Sequence, residues 1–565
     1  MTEERVTDLI SRYERLYSDQ SNFRILWQDL ADYILPRKSN ILSLKSAGSK
    51  QTERLFDSTA IHANELLAAS MATSLTPSNA RWFYLKTRDP GLNEDDAVKE
   101  WLEDCSDRMD RVIHQSNFAS EVNECRVEFG CFGIAALFCE EKPLSVEGFS
   151  GINFKSFSVG EYVISEDYAG RVNMIIRKFE LPAVEAMRKF KKNVGEKVAK
   201  AAASSNDRDK LFPFLWAVMP MEDWRSASRK KKVLPYASCY VNLSEKSLIQ
   251  EGGYHEFPVM VPRWAKASNE VYGRGPGFTA LPDVRTLNKA IELDLRAWAK
   301  AIDPPLLVKD GGVIGSVRVT PSGITYVRQL DQIKTLESTS KFDVTQIKVN
   351  DLRSSIRRIF FSDQLQLQES PKMTASEVYV RYELMQRILG PTLGREESEE
   401  LSPLIERVFG IMSRGGAFRE PPDALKQRSG EDLLDVEYEG PMARAQRLGE
   451  LNALQKFYSF VGPISAVQPE VLDIVDTDKA AREVADVTGV PAKIIRDEDQ
   501  VKAIRQQRGE AKAKADQAQG LMAIAQGLGK AAPAMQAMND MMAQGPQPQA
   551  GVAPPALPTT TTAGA

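Results

Sequence analysis

Histidine is nearly missing from this chain: three residues in 565, His62, His114 and His255, each isolated in sequence. Each stands outside any local metal or catalytic motif, so each reads as a surface or core residue rather than a ligand. Cysteine is scarce too. Cys105, Cys125, Cys131, Cys139 and Cys239 contain no C-x-x-C pair and no disulfide-like framework, which excludes a zinc ribbon and predicts reduced thiols of a cytosolic product. Long apolar runs are absent. The longest, Phe129 to Cys139, is 11 residues against the roughly 20 that a membrane span needs. The start, MTEERVTDLI, is acidic and amphipathic and does not read as a signal peptide. Excess charge of one sign is lacking as well. Lys and Arg number 73 against 77 Asp and Glu, a net charge of −4. A free-standing nucleic-acid binder carries a basic balance, but a channel through which DNA slides must not grip phosphates and is compatible with this one. No G-x-x-x-x-G-K-[ST], H-E-x-x-H or G-x-S-x-G occurs, so no catalytic, cofactor-binding or metal-ligating residues are assigned. Acidic pairs such as Asp95-Asp96 and Glu396-Glu397 read as solvated faces.

What is present is an alternation of helical and strand periods, hence an α+β chain. Residues 3–35 step apolar at three and four through Val6, Leu9, Ile10, Tyr13, Leu16 and Tyr17, and Pro36 closes the segment. A second helix is expected over 56–75, capped near Asp57-Ser58-Thr59. Strands are expected over 81–85 and 134–138, with helices at 94–115 and 118–129 between them. Residues 154–179 alternate around Gly160 and Gly170, predicting two or three antiparallel strands, and Pro182 opens a helix. Residues 201–210 read as an exposed loop. Residues 216–262 read as mostly strand, broken by the basic run Arg229–Lys232.

The centre of the chain has a distinct order. Tyr272 to Gly277 is glycine-rich and reads as a flexible turn before a long helix. That helix is expected from Leu281 to Asp303, about 35 Å long, with Pro282 and Asp283 in its first turn. Val284, Leu287, Ile291, Leu295, Trp298 and Ile302 form one apolar stripe on it. Asp303-Pro304-Pro305 stops it, and residues 306–330 alternate around two turn signals, a small β module. A second helix is expected over 343–361, apolar through Val349, Leu352, Ile356 and Ile359, with Lys348, Arg353, Arg357 and Arg358 on its other face. Those cations either pair with acids of the preceding helix, such as Glu292 and Asp294, or meet phosphates. Residues 362–373, with Gln364, Gln366, Gln368 and Lys372, read as a polar loop that is either solvated or in contact with DNA. Thr374-Ala375-Ser376-Glu377 is a capping box that starts a further helix, which Gly390-Pro391 kinks or breaks. The acidic run 396–400 precedes a helix over 404–413. A strand is expected at 433–438, helices over 443–515, and a polar low-complexity tail over 516–565.

Four segments carry a family resemblance: FRILWQDLADYILPRKSN, FDSTAIHANELLAASMATSLTPSNARWFYL, YGRGPGFTALPDVRTLNKAIELDLRAWAKAIDPPLLV and PKMTASEVYVRYELMQRILGPTLGR. With them, residues 5–510 resemble the head-to-tail connector, or portal, proteins of short-tailed bacteriophages. The resemblance implies a homo-oligomeric ring, usually of twelve, at one capsid vertex. Residues 1–270 would form the wing, 271–303 and 343–361 the stem, and 304–342 the clip. Residues 362–373 would be the tunnel loop, 374–440 a kinked wing helix with a return strand, 441–515 the crown and 516–565 a tail. It implies double-stranded DNA, terminase, a tail adaptor, and major capsid and scaffolding proteins as partners, with no membrane and no cofactor. The stem stripe of Leu287, Ile291, Leu295 and Trp298 would pack against the second stem helix or the next subunit. Two other readings stand beside it: a packaging motor or nuclease, which lacks its nucleotide motif here, and a tail or scaffolding protein that forms no channel.

Overall fold

The computed structural model describes residues 2–517 apart from short gaps and the longer stretches 225–233, 303–305, 309–332, 336–341, 366–389 and 427–435. Two compact units are found, Met1–Ala492 and Lys493–Ala565. Within the second, residues 500–517 are helical.

The larger unit mixes helices with antiparallel sheets, as the period changes predict. The N-terminal helical stretch is two helices, α1 (Thr2–Asp19) and α2 (Ser21–Tyr33), joined at Gln20, a buried residue whose amide donates to the Tyr162 carbonyl at 3.1 Å. Helix α3 (Thr59–Leu75) starts where Asp57 Oδ1 accepts the Thr59 N–H at 2.8 Å. Strand β1 (Leu85–Thr87) follows, later than expected from Arg81 to Leu85. The reason is packing: Trp82 and Phe83 turn into the core, Trp82 stacking on Phe118 with centroids 5.9 Å apart. Helix α4 (Asp96–Gln115) is capped by Asp95, which accepts from the N–H groups of Ala97 and Val98. Helix α5 (Phe118–Phe132) ends at Gly133, whose φ of +73° is the left-handed stop that glycine adopts at low cost.

Strands β2 (Ala136–Glu141) and β3 (Ile152–Phe157) pair, and β4 (Tyr162–Glu166), β5 (Val172–Pro182), β6 (Leu211–Pro220), β7 (Tyr236–Asn242) and β8 (Ser247–Tyr254) form a five-stranded antiparallel meander. Strand β9 (Val259–Met260) completes the smaller sheet, in the order β3-β2-β9. The continuous apolar run of β6 is explained by burial on both faces. Leu215, Ala217 and Met219 pack with Val6, Leu9 and Tyr13 of α1, while Trp216 and Val218 face the main core. Phe214 joins a third cluster with α6 (Ala183–Phe190) and the helical turns of Glu196–Ala203. The expected loop at 201–210 thus begins inside a helix, with Ala201 buried.

The segment before the long helix is not a flexible turn. A Cβ on Gly273 would meet the Gly133 carbonyl oxygen at 2.2 Å, and one on Gly277 the Cys131 carbonyl oxygen at 2.2 Å. Backbone lies directly on backbone there, which only glycine permits. The chain is therefore already ordered at Pro276, where α7 (Pro276–Ile302) begins with proline in its first position. Pro282 consequently lies inside the helix rather than in its first turn.

Strands β10 (Leu306–Val308) and β11 (Ile333–Thr335) form an antiparallel pair between α7 and α8 (Phe342–Ile359). Ser362–Leu365 is one helical turn, where a loop was expected. Its first hydroxyl donates to the Arg357 carbonyl at 3.0 Å. The capping-box helix lies outside the described residues, and so does Pro391. The acidic run is not a solvated connection. Glu397–Leu401 is a π-turn leading directly into α9 (Ser402–Arg414), and Glu396 and Glu400 are buried. Strand β12 (Val436–Tyr438) pairs with β1, Leu85 opposite Tyr438. Helices α10 (Pro441–Ser465) and α11 (Thr477–Thr488) end the unit. All five cysteines are free and buried. No helix among the described residues is long and apolar enough to cross a membrane.

Candidate functional site

Helix α7 carries the candidate site, and it changes character along its length. At 27 residues it is about 40 Å long. Its first half is held in the body, with Val284 and Leu287 each 1% exposed and Ile291 packed at the core's edge. Its second half is not covered: Leu295 is 48% exposed, Trp298 49% and Ile302 83%. The predicted stripe is one line of side chains, and this chain's own fold buries only part of it. Helix α8 packs beside α7, with Val349 and Ile356 buried and Ile347 exposed.

Polar contacts fix the root of the pair. Asn288 is buried. Its amide donates to the Val284 carbonyl at 3.0 Å, while Oδ1 accepts the Phe56 N–H at 2.8 Å and the Asp57 N–H at 3.3 Å. Ser355 of α8 donates to Asp283 of α7 at 2.7 Å. Arg353 donates from Nε and Nη2 to Asp57 Oδ2, at 2.9 and 2.7 Å. Burial works to raise the Asp57 pKa, but hydrogen bonds from Thr59 and the Arg353 guanidinium outweigh it, and the carboxyl stays below its usual range.

The basic face therefore divides. Arg353 is a structural tie to α3. The expected partner Glu292 is unavailable to it, being bound within α7 by Lys289 at 3.0 Å and Arg296 at 2.5 Å. Lys348, Arg357 and Arg358 are exposed. Gln364 lies in the turn that follows α8, whereas Gln366, Gln368 and Lys372 lie outside the described residues.

Sequence reasoning missed a network of buried charges beneath the α9 lead-in. Arg126 of α5 donates to Glu396 at 3.1 Å and to the Thr76 hydroxyl at 2.8 Å. Glu400 hydrogen-bonds Glu396, and burial pushes its carboxyl up to about 8, the nearby Glu396 adding to the effect and Arg126 opposing it. Glu396 is pushed up by burial as well, against the pull of Arg126. Arg263 binds Glu399 at 2.6 Å and also holds Glu166, which takes Lys266 at 2.5 Å. The signal available in sequence was small: Asn288 stands at an i+4 position of an otherwise apolar stripe, and Arg126 and Glu128 interrupt an apolar helix. No group of three metal-ligating side chains occurs among the described residues.

Against known proteins, the family described as bacteriophage head to tail connecting protein matches residues 6–495. The chain is 30% identical over 522 residues to a probable portal protein of Bordetella phage BPP-1, covering 90% of this chain and 92% of that one. It is 28% identical over 539 residues to the portal protein of Salmonella phage epsilon15, covering 93% and 94%.

Proposed function

Because this chain belongs to the family of bacteriophage head-to-tail connecting proteins, we propose that identical copies close into a ring, usually of twelve, through which double-stranded DNA enters and leaves the capsid. Its function is that of a portal, and it is a component of the virion at the head–tail connection. The family is structural, and the proposal includes no turnover.

The observation that carries the ring is the uncovered half of α7. An apolar stripe that continues past the edge of its own fold, through Leu295, Trp298 and Ile302, is the surface that a neighbouring copy would bury. A ring of one chain uses a heterologous contact, one face of each copy against a different face of the next. In this reading residues 1–270 are the wing, α7 and α8 the stem, and 304–342 the clip that meets terminase and later the tail adaptor. Residues 362–373 touch the DNA, 374–440 give the kinked helix and return strand, and 441–515 face the capsid interior, with 516–565 a tail. Major capsid and scaffolding proteins would surround the wing, with assembly in the host cytoplasm. Twelve copies at −4 give about −48, so the average field repels the duplex, and Gln364, Gln366 and Gln368 can touch it without neutralising it. Lys348, Arg357 and Arg358 supply local attraction on the exposed face of α8.

Native mass with negative-stain imaging tests this. Twelve chains of 62.9 kDa predict about 755 kDa and a ring with a central hole. A compact oligomer with no hole would overturn it in favour of a tail or scaffolding protein, and sustained ATP hydrolysis with DNA present would favour a motor.

A further inference from the structure

The two larger sheets have four outer edges, and side chains close three of them. Along β3, Asn117 accepts the Phe154 N–H at 2.9 Å and donates to the Phe154 carbonyl at 2.8 Å, while Glu121 accepts the Ser156 N–H at 2.7 Å. Along β4, Gln20 donates to the Tyr162 carbonyl at 3.1 Å and the Tyr272 hydroxyl accepts the Ile164 N–H at 3.4 Å. Where the chain continues past β9, Glu399 accepts the Arg263 N–H at 2.9 Å. Strand β8 is the exception. The Leu243 N–H donates to the Pro213 carbonyl at 3.2 Å, which turns the odd-numbered residues of β7 toward β6. Tyr236, Ser238 and Tyr240 therefore bond to Tyr254, Gly252 and Gln250 of β8, and the N–H and C=O groups of Glu251 and Gly253 point outward. Among the described residues, nothing bonds to these four groups. Gly252 between them is exposed, and a Cβ there would meet nothing within 4 Å. This chain's own packing does not call for glycine at 252, and a glycine inside a strand marks a place where another chain comes close.

We propose that the β8 edge receives an extended segment of a different protein of the particle, added as a sixth strand, with a basic side chain opposite Glu251 and a large apolar one over Gly252. The proposal rests on the portal reading, which places the chain among other proteins of the capsid. Backbone chemistry selects an extended chain, since outward N–H and C=O groups at alternate residues match the groups of another strand. Charge selects its sequence. The Glu251 carboxylate accepts the Trp224 indole N–H at 3.0 Å and has no cation among the described residues. Glu222 is exposed on the helical turn Met221–Trp224 beside it, and Arg12 is already bound to Asp223 at 3.0 Å. Opposite charges facing across a strand pair attract, and a bulky side chain over a bare glycine supplies the packing that the glycine lacks. Another copy of this chain does not fit. The other edges of both larger sheets are closed, and strands β1, β10, β11 and β12 are three residues each, too short to span Gln250 to Tyr254. A pair of β8 edges is isologous and joins two copies without closing a ring.

Amide hydrogen exchange, resolved to single residues by electron-transfer fragmentation, tests the edge in the purified ring and in the assembled particle. In the purified ring the Glu251 and Gly253 amides are expected to exchange fast. In the particle both should slow by about tenfold or more, while Gly252, already bonded to β7, changes less. Glu251→Pro removes one outward N–H at an edge position that tolerates proline. It should abolish the slowing at Gly253 and leave the mass and melting temperature of the purified ring unchanged. Glu251→Ala keeps the N–H and should retain the slowing in part. Equal rates for the unaltered chain in ring and particle would overturn the proposal without recourse to any variant. Slow exchange already present in the purified ring would overturn it too, assigning the edge to a neighbouring copy. Native mass separates the two levels: a chain that forms no ring fails the portal reading, and this proposal with it, whereas a ring with unprotected amides in the particle fails this proposal alone.

Discussion

Replacing Glu400 by glutamine isolates one buried proton. In the folded chain the Glu400 carboxyl holds its proton up to about 8, against 4.5 as the ordinary value, because it is buried beside Glu396 with only Arg126 as a cation. The unfolded chain releases that proton near the ordinary value. Across the interval the folded state binds the extra proton, so this group's stabilisation is complete below 4.5 and is lost as pH rises through 8. Between pH 6 and pH 8 the loss comes to about 2 kcal/mol at full effect. The two carboxyls titrate as a pair, so the figure belongs to both. Glutamine keeps an N–H donor toward Glu396 and cannot titrate. Amide hydrogen exchange across Ser402–Arg414, corrected for intrinsic rates, reads the local stability at each pH. The unaltered chain is expected to lose about 2 kcal/mol of protection from pH 6 to 8 and Glu400→Gln less than half of that. Equal losses in both would refute the shared proton.

Trp298→Ala removes a half-exposed ring, so it should change the dissociated subunit's stability by less than about 1 kcal/mol while lowering the mass of the assembled oligomer; an unchanged mass at all concentrations would remove Trp298 from assembly. Changing Gln364, Gln366 and Gln368 to alanine should leave that mass intact and reduce the DNA retained per particle, and equal DNA content would take the loop out of the mechanism. Arg353→Ala leaves the buried Asp57 carboxylate with Thr59 as its donor and no cation, and should cost about 1–3 kcal/mol by denaturant midpoint. Since the Asp57 pKa is lowered, that tie is present above 3.8 and lost in more acidic solution as pH falls through its folded value. Gly133→Ala places a Cβ 2.1 Å from the Gly275 nitrogen at a φ of +73°, so soluble yield and melting temperature should both collapse.

Periodicity revealed those parts of the fold whose neighbours are near in sequence. Strands over 154–179 and 216–262 were legible from their alternation, but their joining into the single meander β4–β8 was not, and β6 reads as a continuous apolar run because it is buried on both faces. The α7 stripe was legible as a stripe, but periodicity marks an apolar face without saying what covers it. The start of α7 was misplaced because Gly273 and Gly277 look alike in a loose turn and in a packed crossing. Contacts between distant segments left almost no trace. Arg126 reaches Glu396 across 270 positions and Arg353 reaches Asp57 across 296, so an acidic run that reads as solvated turned out to be partly core. The family was recognised from long ordered segments, which no composition argument replaces.

The glycine crossing also sets how α7 behaves as a lever. Where side chains separate two backbones, the layer between them yields as rotamers adjust. At Gly133, Gly273 and Gly277 no such layer exists. The pivot is main chain on main chain, and a tilt of about one degree there would displace the far end of a 40 Å helix by about 0.7 Å. Small angular errors at the root become misalignment at Ile302, and a stiff pivot keeps the tip positions of separate copies alike. Precision at the far end is thus secured by the three residues that contribute the least side chain.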